Sequence, residues 1–241
     1  MYSSKASSVA SQHNTILIVD DQIANIQVLA LLLEVEGYSI TYALNAKEAQ
    51  QRLHLIQPDL IFLDLFMPEI NGLDLCEQLK ADPKYQDIPI IFLTASRDEQ
   101  HVISAFEKGA ADYVKKPFNA KEVIARTATH LQLRQQTIKL RQAKEQLTTI
   151  VSHMQDGLLI VDQAGMIQFA NPAAAQMLNQ PLSSLLGYPL EQPIFDPRVP
   201  KIEILRLDNT PGIAEISVAQ TEWNNQPATI ICLRDISDRL T

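Results

Sequence analysis

The sequence predicts an α/β domain with a five-stranded parallel doubly wound sheet, then a long helix, then an α+β domain with an antiparallel sheet. Three observations carry that prediction. Between Thr15 and Phe118 short apolar runs alternate with longer amphipathic stretches, the pattern of parallel strands with helices crossing over both faces of a sheet. From Ala120 to Asp156 there is neither glycine nor proline, so nothing local stops a helix. From Gly157 onward, short alternating runs separated by turn residues replace both patterns.

Five runs of the first block read as buried strands: Ile16–Val19, Ser39–Ala43, Leu60–Leu63, Ile88–Leu93 and Asp112–Val114. Helical stretches lie between them at Ile23–Glu36, Ala46–Ile56, Leu73–Ala81 and Arg97–Lys108. Gly37 and Gly109 sit where left-handed helix ends belong, and Asn45 is placed to cap the second helix. Ser96 with Glu99 makes a capping box for the fourth.

Composition narrows the function classes. A chain of 241 residues suits two domains, and 46% apolar with 20% charged residues is globular, not disordered. The longest apolar run, Val28 to Leu33, falls far short of the ~20 residues a membrane helix requires, so no membrane insertion is expected. Residues 1–14 are Ser-rich without a signal-peptide core and read as a disordered leader. Cys76 and Cys232 match no metal or redox spacing, which suits a cytoplasmic protein.

Charge is divided unevenly. Thr15 to Phe118 holds 8 basic and 16 acidic residues, Asn119 to Val151 holds 6 and 2, and Ser152 to Thr241 holds 5 and 10. Two acidic domains flank a basic connector. An acidic chain without a helix-turn-helix pattern is not expected to bind DNA.

Polar residues recur where the strands of the first block end. The first runs into Asp20-Asp21, the third into Asp64, the fourth into Thr94, and the fifth into Lys115-Lys116-Pro117. In parallel sheets, function collects at these carboxyl ends. Three convergent carboxylates repel by about 4 kcal/mol per pair at ~4 Å and an effective dielectric of ~20, so they either take up protons or bind a cation. An all-oxygen set suits Mg²⁺ or Mn²⁺. A divalent ion beside a carboxylate, a lysine and a threonine hydroxyl is equipment for phosphoryl transfer, with Asp64 as nucleophile.

The motifs DD at Asp20-Asp21, DLFMPEINGLDL from Asp64, Thr94-Ala95 and Lys116-Pro117 resemble those of two-component response regulator receiver domains. Thr94 follows Asp64 by 30 residues and Lys116 follows Thr94 by 22, as in that family. The resemblance implies a flavodoxin-like receiver over residues 15–131, with Asp64 as phosphoacceptor and a histidine kinase or phosphotransfer protein as donor. It implies Asp21, Asp64 and the Phe66 backbone carbonyl as metal ligands, with Asp20 acting through water. Thr94 and Lys116 would bind phosphoryl oxygens, Tyr113 with Thr94 would form the switch, and Lys116-Pro117 would be a cis peptide. Tyr113 also fits an ordinary half-buried strand aromatic. Phe66 departs from the polar residue that many relatives carry there, which bears on dephosphorylation rate.

Asn119 with Glu122 caps a helix starting near Ala120. Leu133, Leu140, Leu147 and Met154 recur at seven-residue intervals, with His130, Thr137, Lys144 and Val151 at the paired positions. Residues 120–151 therefore read as a helical linker forming a parallel coiled coil between two chains. The alternative is a single helix that docks its stripe on its own domains.

Asp162-Gln163-Ala164-Gly165 is a turn, and Asn171-Pro172 opens a helix. DGLLIVDQAGMIQFANPAAAQML, LLGYPL and WNNQPATIICLRDISDR resemble a PAS domain, placed over residues 152–241 with an abbreviated middle between Tyr188 and Ile202. The flavin-linking cysteine motif is absent and the domain's middle offers no haem-ligating histidine, so neither cofactor is expected. The function expected is phosphorylation-dependent signalling, relayed through the linker to a PAS sensing or interaction module with a downstream protein partner. No separate catalytic domain is expected. The alternative is the regulatory part of a longer hybrid histidine kinase or cyclase.

Overall fold

The strands β1 (Thr15–Val19), β2 (Ser39–Ala43), β3 (Leu60–Asp64), β4 (Ile90–Thr94) and β5 (Asp112–Lys115) pair in parallel, in the order β2-β1-β3-β4-β5. The computed structural model describes residues 14–95, 99–190, 201–205 and 210–237. Within the first unit, Met1–Leu140, the strands are joined by α1 (Ile23–Val35), α2 (Ala46–Leu55), α3 (Gly72–Ala81) and α4 (Glu99–Glu107).

Side chains alternate across the sheet with period two. Leu17, Val19, Ile61, Leu63 and Phe92 pack with Ala49 and Leu53 of α2 and Leu75 and Leu79 of α3. Ile16, Ile18, Leu60, Phe62, Ile91 and Leu93 pack on the other face with Ile26, Leu29 and Leu33 of α1. Both faces are therefore cores, which is why these strands are continuous apolar runs. Each fully buried large side chain contributes about 1.5–3 kcal/mol.

The helix ends follow the sequence cues. Gly37 and Gly109 take φ of 86° and 89°, which only glycine adopts without a steric cost. Asn45 accepts from the Glu48 N–H while the Glu48 carboxylate accepts from the Leu44 N–H. The Ser96–Glu99 capping box and residues 1–13 of the leader lie outside the described residues.

The helix α5 (Ala120–His153) runs unbroken for 34 residues, its first turn capped by Asn119. Val123, Thr127 and Leu131 are buried, with Val123 and Leu131 joining the second core face. Arg126 and His130 bond to Asp112, and Arg134 donates to the Asp87 carbonyl. His130, a polar entry among the paired heptad positions, thus bonds to a residue of its own unit. Further along, Leu133, Leu140, Leu147 and Ile150 are exposed.

The second unit, Arg141–Thr241, contains β6 (Gly157–Asp162), β7 (Ile167–Ala170), α6 (Pro172–Met177), α7 (Leu182–Leu185), β8 (Lys201–Leu205), β9 (Pro211–Trp223) and β10 (Gln226–Asp235). The strands form an antiparallel sheet in the order β7-β6-β10-β9-β8. Asn224 and Asn225, at φ 52° and 60°, make the tight turn between β9 and β10, a left-handed pair that asparagine tolerates. Asn171 caps α6 and Pro172 occupies its first turn. Leu159, Val161, Ile231 and Leu233 pack with Ala174, Ala175 and Leu185 beneath the sheet. Most of the abbreviated segment between Tyr188 and Ile202 lies outside the described residues.

Candidate functional site

Strand order reverses direction at β1, so the carboxyl ends of β1 and β3 meet at a crevice. Asp20 and Asp21 follow β1, Asp64 ends β3, and one oxygen of each lies within 4.8 Å of the others. Asp20 and Asp64 are buried while Asp21 is exposed. Lys116, just after β5, reaches both buried carboxylates: its Nζ lies 2.8 Å from an oxygen of Asp20 and 2.8 Å from Oδ2 of Asp64. The Lys116–Pro117 peptide is cis.

The electrostatics follow from that geometry. Burial pushes the Asp64 carboxyl above its ordinary value; Lys116 and the Phe66 N–H oppose the rise and Asp20 adds to it. Burial also works against the Lys116 ammonium, but its two carboxylate partners outweigh it and hold the lysine above its ordinary value. Three carboxylates against one ammonium leave an excess of negative charge among all-oxygen donors. That donor set fits Mg²⁺ or Mn²⁺.

A cavity of about 460 Å³ opens over the cluster, lined by Gln22, Asn25, Asp64, Phe66, Ala95, Lys116 and Pro117. Phe66 stands 54% exposed at this rim. Thr94 is fully buried at the end of β4, one residue before the lining Ala95, and its carbonyl accepts from the Lys116 N–H at 2.8 Å. Tyr113 is half-buried on β5 and outside the cavity lining, its ring edge-on to Phe106 with centroids 6.2 Å apart. The Arg126 guanidinium lies 5.7 Å from the centre of the Tyr113 ring.

Gly72, at the start of α3, lies directly against the Asp64 backbone carbonyl, where a Cβ would overlap it. Its N–H donates to the Leu65 carbonyl. This close approach keeps the loop after Asp64 tight and explains the glycine in the Asp64 motif. Sequence reasoning missed Asn25, whose amide bonds to Asp20, and Gln22, whose backbone N–H does; the only signal was the polarity of Asn25 at the start of an otherwise apolar helix.

Residues 16–128 match the response regulator receiver domain family, and residues 145–213 match the PAS domain family. The chain carries a receiver domain followed by a PAS domain. The receiver is the five-stranded doubly wound parallel fold that the sequence predicts, and the PAS domain follows α5 with its antiparallel sheet.

The receiver–PAS chain is 43% identical over 112 residues to the phosphate regulon transcriptional regulatory protein PhoB of Pseudomonas aeruginosa, covering 46% of this chain and 49% of that one. It is 40% identical over 111 residues to the DNA-binding dual master transcriptional regulator RpaA of Synechocystis, covering 46% of each. The chain thus spans about half the length of the curated relatives it matches. The crystal structure of NtrX from Brucella abortus superposes with a TM-score of 0.51 at 23% identity, over 59% of this chain and 35% of that one, a likeness of fold. The receiver domain supports a part in two-component signalling. Among the described residues, no helix is long and apolar enough to cross a membrane.

Proposed function

We propose that this receiver accepts a phosphoryl group on Asp64 and relays its phosphorylation state along α5 to the PAS domain. The observation that carries the reading is Lys116, whose Nζ lies 2.8 Å from Asp64 Oδ2 inside the only lysine-bridged carboxylate cluster among the described residues.

A carboxylate oxygen of Asp64 attacks the phosphorus of a phosphohistidine on a kinase or phosphotransfer protein. The new Asp64 O–P bond forms as the P–N bond breaks, and the electron pair leaves with the imidazole. Burial keeps the nucleophile poorly hydrated, and Lys116 places positive charge beside the oxygens on which charge builds. Thr94 supplies a hydroxyl at the neighbouring strand end, and Tyr113 shares β5 with Lys115, so rearrangement around Thr94 reaches the α4–β5 face through Tyr113. Asp21, Asp64 and the Phe66 carbonyl would hold a divalent cation, with Asp20 acting through water; when bound, it supplies further positive charge toward the phosphoryl oxygens.

Residues 15–131 act as the receiver, 120–151 as linker and 152–241 as the PAS module, in a cytoplasmic signalling protein. The exposed Leu133, Leu140, Leu147 and Ile150 support pairing of two α5 helices in parallel. The relatives' DNA binding belongs to whole proteins of which this chain spans about half. A protein partner engaged by the PAS domain or linker suits this chain better, because its second domain is a PAS domain.

Acetyl phosphate with Mg²⁺ should add one phosphate to the protein by intact mass, and none to Asp64→Asn. Equal uptake by that variant sinks the proposal. No uptake without a divalent cation is the second expected result.

A further inference from the structure

Asp20 is fully buried, and its carboxylate offers about four acceptor positions. Four contacts from this chain reach its two oxygens. The Gln22 N–H donates to Oδ1 at 2.9 Å, and the Asn25 amide nitrogen reaches Oδ1 at 3.0 Å and Oδ2 at 3.1 Å. The fourth is Lys116, 2.8 Å from Oδ2. Asn25 can serve both oxygens only through its NH₂ group, since the amide oxygen would face a carboxylate of like charge. Its place is fixed by the start of α1, where its own N–H bonds to the Gln22 carbonyl at 3.0 Å.

We infer that Asn25 is a positioning residue of the acidic pocket. By filling the positions on Asp20 that Gln22 and Lys116 leave open, it holds Asp20 as the anchor of Lys116 and keeps it out of direct contact with a cation. The cation is then left to Asp21 and Asp64, and Lys116 stays beside Asp64. The inference rests on the phosphoacceptor reading above and assigns a role to a residue that reading does not use.

Removing the amide does two things to Asp20. It frees acceptor positions that a cation can occupy, and it removes the positive end of an NH₂ dipole that offsets the carboxylate charge. Both strengthen cation binding. The cost falls on phosphoryl uptake, because a cation held by Asp20 competes with Lys116 for the same oxygen.

The test measures Mg²⁺ binding by calorimetry and, separately, the initial rate of phosphate uptake from acetyl phosphate at saturating Mg²⁺. For Asn25→Ala the structure predicts a Kd for Mg²⁺ tightened by about threefold, from the extra negative field, with a maximal rate lowered by about tenfold. The isosteric Asn25→Asp should tighten Mg²⁺ further and slow uptake as much. Thermal melting in EDTA should show all three proteins folded. A fold defect alone would not produce tighter metal binding with slower transfer.

Wild-type behaviour of Asn25→Ala in both measurements, or weaker Mg²⁺ binding with an intact melt, overturns the inference. Should wild-type protein take no phosphate on Asp64, the phosphoacceptor reading fails, while calorimetry still tests what Asn25 does to the cation.

Discussion

The Arg126 Nη1 lies 2.5 Å from both carboxylate oxygens of Asp112, fastening the second turn of α5 to the first residue of β5. His130 adds a contact of 3.1 Å to Asp112 one turn later, and Arg134 donates to the Asp87 carbonyl a turn beyond that. The first part of α5 is thereby tied to the end of the sheet opposite the acidic cluster.

That tie carries a pH dependence. Burial works against the Asp112 charge, but hydrogen bonds from Arg126, His130 and the Tyr113 N–H outweigh it and hold the carboxyl below its ordinary value. A depressed carboxylate contributes stability that is present above its unfolded pKa and lost as pH falls through the folded one. Asp112→Asn should therefore cost about 1–2 kcal/mol at pH 7 by urea denaturation, after solvent screening of a partly exposed site. The difference from wild type should shrink once pH drops below 3.8, the ordinary Asp value. A gap that stays constant down to pH 3 would contradict the assignment.

Gly72→Ala should destabilise the receiver by about 1–3 kcal/mol, because the new Cβ overlaps the Asp64 carbonyl and the backbone must shift. Phosphate uptake should fall with it, since Asp64 moves. Differential scanning calorimetry and intact mass read the two effects; a neutral Gly72→Ala would mean the loop has room that the structure does not give it.

Calorimetry of single alanine variants should rank the carboxylates. Asp21→Ala and Asp64→Ala should weaken Mg²⁺ binding most, and Asp20→Ala less, because direct ligands matter more than groups acting through water or other residues. Wild-type affinity in Asp21→Ala would remove that residue from the ligand set.

Burial pushes the Cys76 thiol up to about 11, and its side chain is fully enclosed beside α4. A thiol so placed forms little thiolate at neutral pH. A thiol reagent should label Cys232 in the native protein and reach Cys76 only in denaturant. Two labels at native pH 7.5 would show that α3 opens more readily than its packing implies.

Leu140→Glu with Leu147→Glu should abolish pairing of the chains in sedimentation velocity while leaving phosphate uptake intact, since both residues lie beyond the contacts that α5 makes with the receiver sheet. A dimer that survives both changes locates the interface elsewhere.

Much of this was legible in the sequence. Strand ends could be read because fully buried parallel strands are uninterrupted apolar runs, so Asp20, Asp64 and Thr94 stand out as the first polar residues after them, and Lys116 follows in the Lys-Lys-Pro run that ends β5. Helix ends were legible where one residue decides them, as at Gly37, Asn45 and Asn119. The face of α5 was harder. His130 fits a heptad as well as it fits the ladder of Arg126, His130 and Arg134 at four-residue spacing, and only Asp112, remote in sequence, decides between them. Asn25 was invisible for a related reason: its partner Asp20 lies five residues back, a separation that one-dimensional patterns assign to solvent. The four-residue α7 is too short for any periodicity to register.

Asn171 is 1% exposed, and its amide bonds four separate pieces of backbone: the carbonyls of Val151 in α5 and of Asp156, and the N–H groups of Leu158 in β6 and Ala174 in α6. A single side chain thus makes the last turn of α5, the junction after it, the first PAS strand and the first PAS helix open together or not at all. Amide hydrogen exchange should see them as one cooperative unit with a shared opening energy. The join between the last turn of α5 and the PAS sheet is therefore a weld and not a hinge.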